Sequence, residues 1–353
     1  MLDHGVWRDH HPVAGPAGAP PEVDVVPEEV DLRVSALTRA SQQLLTRLGA
    51  WERMAALRIS PYREMHVWDA GGASIHFDSA EIGEPDLGHI VENRVTRLAL
   101  WERLQDLDKV ELLCPAALEG FEPRDGGVEV RLEDGRSLRA RLLVGADGGR
   151  SRVRSLAGIA VRGWAYDQHA LVATIRPQHH HRDTAWQRFM PNGPLALLPI
   201  EDGRCSIVWS TSPEQAEALL GLPDAEFLAA LGDASERVLG EILAVGPRAS
   251  FPLRLQHADR YVKPGVALIG DAAHSIHPLA GQGVNLGFLD AGSLVDALID
   301  GRERGRAPGA LRTLRAYERA RKGHNTATQL AMDGFKHLFG SDAMGLSMAR
   351  NLG

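Results

Sequence analysis

The residues best suited to chemistry lie in one stretch, GDAAHSIHPLAGQGVN, at residues 270–285. It follows the apolar run VALIG, which predicts a buried strand, and in α/β sheets ligands bind beyond the carboxyl ends of strands. Asp271 stands at such an end, where an ionised carboxylate can accept hydrogen bonds from sugar hydroxyl groups. Pro278 has no N–H group and can present a flat apolar edge to a ring. Gly281 and Gly283 carry no side chain, so the backbone there can approach a ligand closely.

The end of this stretch also predicts the first turn of a helix, over residues 283–285. The free N–H groups of a helix N-terminus favour a negative group by about 0.3–1 kcal/mol when exposed and by up to roughly 2 kcal/mol when partly buried. Such a turn can stabilise an anion on a ring, including one that forms only during a reaction. Each residue alone fits an ordinary strand-to-helix turn. Together they favour a cofactor site.

A second glycine-rich turn lies in LVGADGG, which begins at Leu143. Two alternating runs precede it and meet at Asp134-Gly135, a strong signal for a β-hairpin. The second run leads into Asp147 and Gly148. The chain therefore has two turns in which an acid and a glycine follow a predicted strand.

The elements that must position these turns follow from hydrophobic periodicity. Apolar residues at helical spacing predict a helix that begins behind Ser35 and stops at Gly49. Residues 62–78 alternate around a Gly-Gly pair and predict a hairpin, and short strand-like runs between Tyr166 and His257 predict a separate β-rich layer with helices on it. Three other stretches are predicted to be helical: 93–107, 283–298 and the chain from Leu311 onward.

Composition narrows the class of protein. The 353 residues are 44% hydrophobic, enough for one large core or two coupled ones. A formal charge of -7, from 46 acids against 39 bases without a long basic block, argues against a nucleic-acid partner. No apolar run approaches the roughly 18 residues of a spanning helix, and no export signal is visible.

The two cysteines, Cys114 and Cys205, lie far apart in the sequence. They form no CxxC or Cys/His spacing, so neither a disulfide framework nor a metal site is predicted, and a reducing cytoplasm fits best. The tract at residues 179–181 consists of three adjacent histidines. Because adjacent side chains point in different directions, we interpret this tract as a solvated loop rather than a metal site.

Together the two turns resemble a known family. GDAAHSIHPLAGQGVNLG is similar to the second FAD motif of class A flavin-dependent aromatic hydroxylases, and LVGADGGRSRVR, at residues 143–154, is similar to their Asp-Gly motif. Within that group the chain most resembles the ubiquinone-biosynthesis hydroxylases, in the 2-octaprenylphenol hydroxylase branch, over nearly all of residues 31–353. The supporting segments are LRVSALTRASQQLL at 32, PYREMHVWD at 61, LGHIVENRV at 87, TAWQRFMPNGPLALLP at 184, SIVWS at 206 and YERARKGHN at 317.

The resemblance implies roles for residues of the stretch 270–285. Asp271 would bind the FAD ribose, and Pro278 would lie beside the isoalloxazine ring. Gly283, Val284 and Asn285 would meet the pyrimidine edge of the flavin through their backbone N–H groups.

The resemblance implies further cofactor residues outside that stretch. Asp147 and Gly148 would lie near the pyrophosphate and the path of the reducing nicotinamide. Arg33 matches an arginine that follows the second strand in the family and would contact the cofactor, although a surface arginine is the commoner explanation.

The fold implied by the resemblance is α/β, an FAD-binding Rossmann-like fold like that of p-hydroxybenzoate hydroxylase, with an interleaved β-rich substrate domain and C-terminal helices. Before it, residues 1–30 are dense in Pro, Gly and His and predict an irregular tail. The expected division is 31–60, 90–163 and 257–310 for the FAD-binding domain, 61–89 and 164–256 for the substrate domain, and 311–353 for a C-terminal helical segment.

The activity implied by the resemblance is hydroxylation of the aromatic ring of a prenylated phenol in ubiquinone biosynthesis. FAD would be the cofactor, NAD(P)H the transient reductant and O₂ the co-substrate, with a flavin C4a-hydroperoxide as the oxygen donor. Other ubiquinone-biosynthesis proteins are the partners that this pathway suggests. A cytoplasmic protein peripheral to the inner face of the membrane fits such a substrate.

One expected motif is missing from the sequence. The family begins with a strand followed by GxGxxG opening a helix, and no such fingerprint occurs here. The family's chain would start about one βαβ half-unit earlier, on the order of 30 to 40 residues. The alternative therefore stays open that the chain is a truncated, flavin-poor homologue acting as a scaffold or lipid-binding partner, or a mis-started gene model.

Catalytic residues cannot be assigned from the sequence. His277 follows the first turn and is a candidate for facing the ring, and Tyr166 is a candidate for removing the proton of a phenol. Tyr62 and His66 are of the same kind. Packing in a core or at the rim of a cleft is the commoner role of such side chains.

Overall fold

The computed structural model describes residues 30–69, 71–275 and 283–340, with the side chains of 164–166 and 328–340 outside the description. The strands are β1 (Val34–Thr38), β2 (Ser60–Tyr62), β3 (Glu64–Asp69), β4 (Ser74–Asp78), β5 (Gly88–Glu92), β6 (Leu118–Arg124), β7 (Gly127–Leu132), β8 (Ser137–Ala140), β9 (Leu143–Gly145), β10 (Val161–Pro177), β11 (Thr184–Met190), β12 (Gly193–Pro199), β13 (Cys205–Thr211), β14 (Ile242–Ala258), β15 (Val262–Lys263), β16 (Val266–Leu268) and β17 (His274–Ser275). The helices are α1 (Arg39–Arg47), α2 (Trp51–Leu57), α3 (Asn93–Gln105), α4 (Arg152–Leu156), α5 (Pro213–Gly221), α6 (Asp224–Ala234), α7 (Gly283–Glu303) and α8 (Leu311–Gly340).

The largest sheet has eight strands in the order β17-β14-β10-β13-β12-β11-β3-β4. Its pairs are antiparallel except for β11 and β3, which run parallel. One face of β10, β12 and β13 packs beneath α5 and α6 in a buried core that includes Leu171, Ile207 and Phe227. This sheet is the β-rich layer that the alternating runs predict.

A smaller sheet, β15-β16-β9, contains the parallel pair on which both glycine-rich turns depend. The strand β16 is buried along its whole length, as the VALIG run predicts for a strand covered on both faces. A buried cluster that includes Leu268, Leu294 and Leu314 joins this sheet to α7 and α8. The two helices thus hold the sheet that carries the turns.

Two three-stranded sheets complete the described fold. The sheet β1-β5-β2 packs through Ala36, Ile90 and Tyr62 against Ala196 and Leu198 of the eight-stranded sheet. The sheet β6-β7-β8 is a meander in which β7 and β8 form the hairpin predicted at Asp134-Gly135. The first of these sheets forms one wall of the cavity described below.

The predicted start of the first helix, behind Ser35, is wrong. Residues 34–38 form β1, which pairs antiparallel with β5, and α1 begins only at Arg39. The side chain of Thr38, not Ser35, caps the helix by accepting a hydrogen bond from the backbone N–H of Ser41. The adjacent buried residues Ala36 and Leu37 fit a helical pattern, but the segment forms a strand because pairing with a distant strand overrides local periodicity.

The other element predictions are confirmed where the structure describes the chain; the irregular tail predicted for residues 1–30 and the helical segment beyond residue 340 lie outside the described residues, apart from residue 30. The hairpin at 62–78 is formed by β3 and β4, and the helix predicted at 93–107 is α3. Gly49 follows α1 with a φ of 73°, the left-handed conformation that favours glycine after a helix. The predicted helices from 283 and from 311 are α7 and α8.

Candidate functional site

Both glycine-rich turns lie at one edge of the small sheet. Because β16 and β9 are parallel neighbours, with Leu268 opposite Gly145, their carboxyl ends meet. The backbone N–H of Ile269 donates to the carbonyl of Gly145 at 3.0 Å and extends the pairing by one residue. The acid-glycine turns that the sequence predicts separately are therefore brought together, as ligand sites in parallel sheets require.

The first turn is a short 3₁₀ segment, Gly270–Ala272, which ends β16. Gly270 has a φ of 57°, and a Cβ atom on Gly287 would lie 3.3 Å from the Cα of Gly270, so α7 passes very close to the turn. Asp271 is exposed. The structure thus places the Asp271 side chain at the strand end, at the surface of the turn.

The second turn is organised by a buried carboxylate. Asp147 accepts hydrogen bonds from the hydroxyl of Ser151 at 2.5 Å and from the backbone N–H of Val153 at 3.0 Å. Gly148 has a φ of 79°, which a residue with a side chain adopts only with strain. Asp147 therefore shapes the turn and satisfies one of the first N–H groups of α4, and its nearness to a pyrophosphate stays a prediction.

An arginine that sequence reasoning missed links the two turns. Arg154 donates to the carbonyl of Ala272 at 2.9 Å and to the carbonyl of Gly149 at 2.6 Å. Burial lowers the pKa of this guanidinium, and the nearby Asp147 carboxylate acts in the opposite direction. The only signal in the sequence is its place in the Asp-Gly motif, GRSRVR.

The start of α7 presents backbone N–H groups beside these turns. A Cβ atom on Gly283 would meet nothing within 4 Å among the described atoms, so the backbone is open there. The side chain of Asn285 points elsewhere: its amide donates to the carbonyl of Ala36 at 2.7 Å, and its oxygen accepts from the N–H of Thr38 at 3.0 Å and the hydroxyl of Ser41 at 2.6 Å. Asn285 thus fixes the start of α7 to the junction of β1 and α1.

Val284 and Arg33, two further predicted cofactor residues, have contacts that do not by themselves place them at a cofactor. Val284 packs beside the buried cluster around Leu45 and Met54. The Arg33 guanidinium lies 5.6 Å from the centre of the Phe251 ring. Arg33 is therefore held against the eight-stranded sheet, and its contact with a cofactor stays a prediction.

Three predicted residues, His277, Pro278 and Gly281, and the side chain of Tyr166 lie outside the described part of the chain.

Of the other two base candidates, His66 has a pKa lowered by burial and by the neighbouring His76. Tyr62 has a pKa raised to about 12, mainly by burial. Tyr62 is therefore protonated near neutral pH and cannot serve there as a base.

A buried polar network lies directly behind the first turn, and its centre is Asp290 of α7. This carboxylate is fully buried and accepts hydrogen bonds from His274 Nε2 at 2.5 Å, the Gly270 N–H at 3.1 Å, Arg321 Nε at 2.8 Å and Asn325 Nδ2 at 3.1 Å. The network ties the turn to α7 and α8. The sequence signal for it is an acid in an apolar helical stretch, together with an arginine and an asparagine at i and i+4.

The network continues through Tyr261, whose hydroxyl lies 3.4 Å from Asn325 Nδ2 and 3.2 Å from His257 Nε2. Below it the Tyr317 hydroxyl donates to the carbonyl of Leu268 at 2.7 Å. Burial raises the pKa of both tyrosines, so both stay protonated. The end of β16 is thus supported by buried hydrogen bonds rather than by apolar packing alone.

The prediction of a solvated histidine tract is wrong for one of its members. His179 and His180 are exposed, but His181 is buried, and its Nε2 lies 2.9 Å from the carbonyl of Ile200. Burial lowers the pKa of His181. Because its two neighbours face solvent, His181 has a structural role at the end of β12.

A cavity of about 10 Å³ lies between the eight-stranded sheet and the sheet β1-β5-β2. Its lining includes Ala36, Tyr62, Met65, Leu198 and Gln187. Most of the lining is apolar, and Gln187 is 5% exposed with no hydrogen-bond partner for its Oε1 among the described atoms. The cavity therefore has a mostly apolar wall that contains one buried amide.

Hydrogen bonding connects this cavity to the turns. Ala36 lines the cavity, and its carbonyl accepts the hydrogen bond from Asn285 in the first turn of α7. Asn285 is itself 5% exposed. The cavity, the start of α7 and the turn at Gly270 consequently form one continuous region of the molecule.

Comparison with known proteins places this region in context. A family model described as "FAD binding domain" matches residues 27–331. The chain is 40% identical over 335 residues to the 3-demethoxyubiquinol 3-hydroxylase of Escherichia coli K12, covering 95% of this chain and 85% of that protein. It is 39% identical to the mouse ubiquinone biosynthesis monooxygenase COQ6, covering 96% of this chain and 80% of that protein.

The solved structures extend the comparison to the fold. A crystal structure from Pseudomonas aeruginosa, described as pqsL, a probable FAD-dependent monooxygenase, matches with a TM-score of 0.76 at 24% identity. The match covers 93% of this chain and 91% of that chain. The likeness in fold thus extends over both the small parallel sheet and the eight-stranded sheet.

Proposed function

Because the chain belongs to the FAD-dependent hydroxylases of ubiquinone biosynthesis, we propose that it hydroxylates the aromatic ring of a prenylated phenol, with FAD as cofactor, NAD(P)H as reductant and O₂ as co-substrate. The observation that supports this most directly is the meeting of the two motifs at the ends of β9 and β16. Arg154 bridges them through the carbonyls of Gly149 and Ala272. Two motifs of one cofactor site are thus held together by a buried side chain.

The residues present fit FAD. A Cβ atom at Gly148 or Gly283 would meet nothing within 4 Å among the described atoms, so the backbone is accessible at both positions in that part of the structure. Gly270 has a left-handed φ and lies close to Gly287 of α7. Asp271 offers an exposed carboxylate for sugar hydroxyl groups, and the first turn of α7 offers N–H groups for an electron-rich ring edge. This donor set suits a neutral sugar and an anionic ring on one cofactor.

Bound FAD would supply the activation of O₂, and the protein's own residues have other tasks. The helix N-terminus at residues 283–285 stabilises negative charge on the ring, because its N–H groups are fixed in place before the reaction. The apolar wall formed by Ala36, Met65 and Leu198 keeps water from the substrate ring. Tyr62 stays protonated beside it, so within the described cavity lining no ionised side chain competes with the phenol for a proton.

The apolar edge of the eight-stranded sheet favours the proposal that the substrate is prenylated. Met65 of the cavity wall lies directly opposite Phe77 on the edge strand β4, and Ile75 is on the same face two residues earlier. Ile82, in the short segment after β4, is also an exposed apolar residue, and the three side chains, here called the edge strip, are 39% to 67% exposed. A strip of this kind beside an apolar cavity suits a prenyl tail.

The edge strip also suits contact with a membrane surface, where a prenylated phenol resides. None of the described helices combines the length and apolar character needed to cross a bilayer. We propose that the edge strip makes a peripheral contact with the membrane surface, with the tail entering from the lipid.

Recording the visible spectrum of the desalted protein with and without added FAD tests the proposal. We expect a bound flavin spectrum, and formation of a hydroxylated product when 2-geranylphenol, NAD(P)H and air are supplied. A colourless protein that takes up no FAD would favour the scaffold alternative. Replacing Asp271 with alanine should weaken FAD binding by roughly tenfold, about 1.4 kcal/mol, since one charge-assisted hydrogen-bond acceptor is lost.

Asp125→Ala is the matched control for this variant, because Asp125 is an exposed acid in the turn between β6 and β7. We expect its FAD dissociation constant to stay within about twofold of the wild type. Equal FAD affinities for Asp271→Ala and Asp125→Ala would remove Asp271 from the cofactor site.

Replacing Phe77 with serine tests the edge strip. Burying an apolar side chain against a tail contributes about 1.5–3 kcal/mol, and a half-buried contact contributes less. We expect KM to rise by roughly three- to tenfold for 2-geranylphenol but to stay unchanged for 2-methylphenol, which has no tail. Leu243→Ser is the control, because Leu243 is an exposed leucine on β14. A rise in KM that is equal for both phenols would contradict a tail-binding role.

A further inference from the structure

Gln187 places a buried side-chain amide in the lining of the cavity. It is 5% exposed, and its Oε1 has no hydrogen-bond partner among the described atoms. Buried side-chain acceptors in native proteins are nearly always paired, because an unpaired one has lost its water without compensation. An unpaired acceptor beside a cavity can pair with one further group, either a ligand hydroxyl or a water molecule, and the binding experiment below distinguishes the two.

The direction of the side chain follows from the register of β11. Gln187 lies directly opposite Ala196 on β12 and two residues after Ala185. Both alanines belong to the apolar cluster that the eight-stranded sheet shares with the sheet β1-β5-β2. Because side chains alternate between the faces of a strand, Gln187 emerges on this same face, where it lines the cavity.

The size of the cavity indicates what it can accept. Its volume of about 10 Å³ is close to the roughly 10–15 Å³ that one water molecule needs. A single hydroxyl group fits this space, and a carbonyl oxygen such as Gln187 Oε1 accepts a hydrogen bond but donates none. A ligand hydroxyl in this space would donate to Gln187 Oε1, and the mostly apolar lining suits an apolar body attached to that hydroxyl.

The position of the cavity relates it to the reaction. Ala36 joins the cavity wall to Asn285 in the first turn of α7, where the proposed flavin edge lies. On the basis of the proposed function, we propose that Gln187 is the specificity-determining residue that accepts the hydrogen bond of the substrate's phenolic hydroxyl and so sets which ring carbon faces the cofactor. Gln187 would hold the phenol in its neutral form, since an amide cannot take its proton.

The proposal predicts discrimination between a phenol and its methyl ether. The FAD-loaded protein should bind 2-geranylphenol at least tenfold more tightly than 2-geranylanisole, because the ether leaves Gln187 Oε1 unpaired. In Gln187→Met, which keeps the volume but removes the acceptor, this preference should fall below about threefold. In Gln187→Glu, which restores an acceptor, the preference should return. Binding is measured by titration calorimetry, so no turnover is needed.

Thermal unfolding of the ligand-free variants provides a second readout. Because Gln187→Met removes an unpaired buried acceptor, its unfolding midpoint should rise by roughly 1–2 °C, whereas the exposed control Gln43→Met should change little. A lower midpoint together with an unchanged preference for the phenol would overturn the proposal and assign Gln187 a structural role. Selective binding without hydroxylation would instead count against the proposed function and leave the role of Gln187 intact.

Discussion

Replacing Asp290 with asparagine should lower the free energy of unfolding by about 3–5 kcal/mol, the largest effect expected of any single substitution here. The carboxylate is fully buried and accepts four hydrogen bonds, including those from His274 and Arg321. In the variant the Arg321 cation stays buried without its counter-charge, and an amide N–H₂ group faces donors. Urea unfolding followed by circular dichroism at pH 7 measures the loss.

Two variants serve as controls for this prediction. Asp296 lies on the same helix but is exposed, so Asp296→Asn should change the free energy of unfolding by no more than about 0.5 kcal/mol. The double variant Asp290→Asn with Arg321→Met should recover part of the loss, because no unpaired cation remains buried. A loss below about 1 kcal/mol in Asp290→Asn would show that the network contributes little.

The same carboxylate should make stability depend on acid pH. Burial acts to raise the pKa of Asp290, but the hydrogen bonds from His274, Arg321 and Asn325 and the charge of His274 outweigh it, so the pKa lies below its usual value. A carboxyl whose pKa is lower in the folded than in the unfolded state stabilises the folded protein at pH values above its unfolded-state pKa of about 3.9. This stabilisation is lost as the pH falls below that value. The stability advantage of the wild type over Asp290→Asn should therefore be constant near neutrality and shrink below about pH 4. An advantage independent of pH down to pH 3 would contradict this assignment.

The family, the fold class and the FAD cofactor could be predicted from the sequence because their signals are local. An acid and glycines at fixed spacing after a buried strand specify a turn by themselves, and the comparisons confirm the ubiquinone-biosynthesis hydroxylase family. The contact that joins the two turns could not be predicted in this way. Arg154 and Ala272 are 118 residues apart, and nothing in either neighbourhood specifies the other.

Where distant strands pair, local patterns mislead. Residues 34–38 fit a helical period, but their pairing with β5 makes them a strand. The alternating pattern of its strand predicts that Gln187 faces solvent. A single sequence does not reveal that a second sheet covers that face. Asp290 could have been suspected as an acid in an apolar helix, yet its partners on α8 are fixed only by the packing of α7 against α8. The supporting residues of the site are thus the ones that sequence reasoning misses.

Replacing Asn285 with alanine should have the largest effect on cofactor binding, a loss of at least tenfold in FAD affinity. The Asn285 side chain makes four hydrogen bonds, one to Ala36, two to Thr38 and one to Ser41, that fix the start of α7 to β1 and α1. Without them buried and partly buried polar groups lose a partner, at a cost of about 2–4 kcal/mol in stability. The N–H groups of residues 283–285 then no longer hold one position relative to the flavin ring, so part of their preorganised stabilisation is lost. Titration of FAD followed by flavin fluorescence measures the affinity.

Asn93→Ala is the matched control for this last prediction, because Asn93 also holds β1 but has no hydrogen bond to α7 among the described residues. Its Oδ1 accepts a hydrogen bond from the hydroxyl of Ser35 at 2.7 Å. If the position of α7 is what matters, Asn93→Ala should lower stability yet change FAD affinity by less than about threefold. Equal losses of FAD affinity in Asn93→Ala and Asn285→Ala would trace the effect to β1 as a whole. Unchanged affinity in Asn285→Ala would mean that the start of α7 needs no side-chain support to bind the ring.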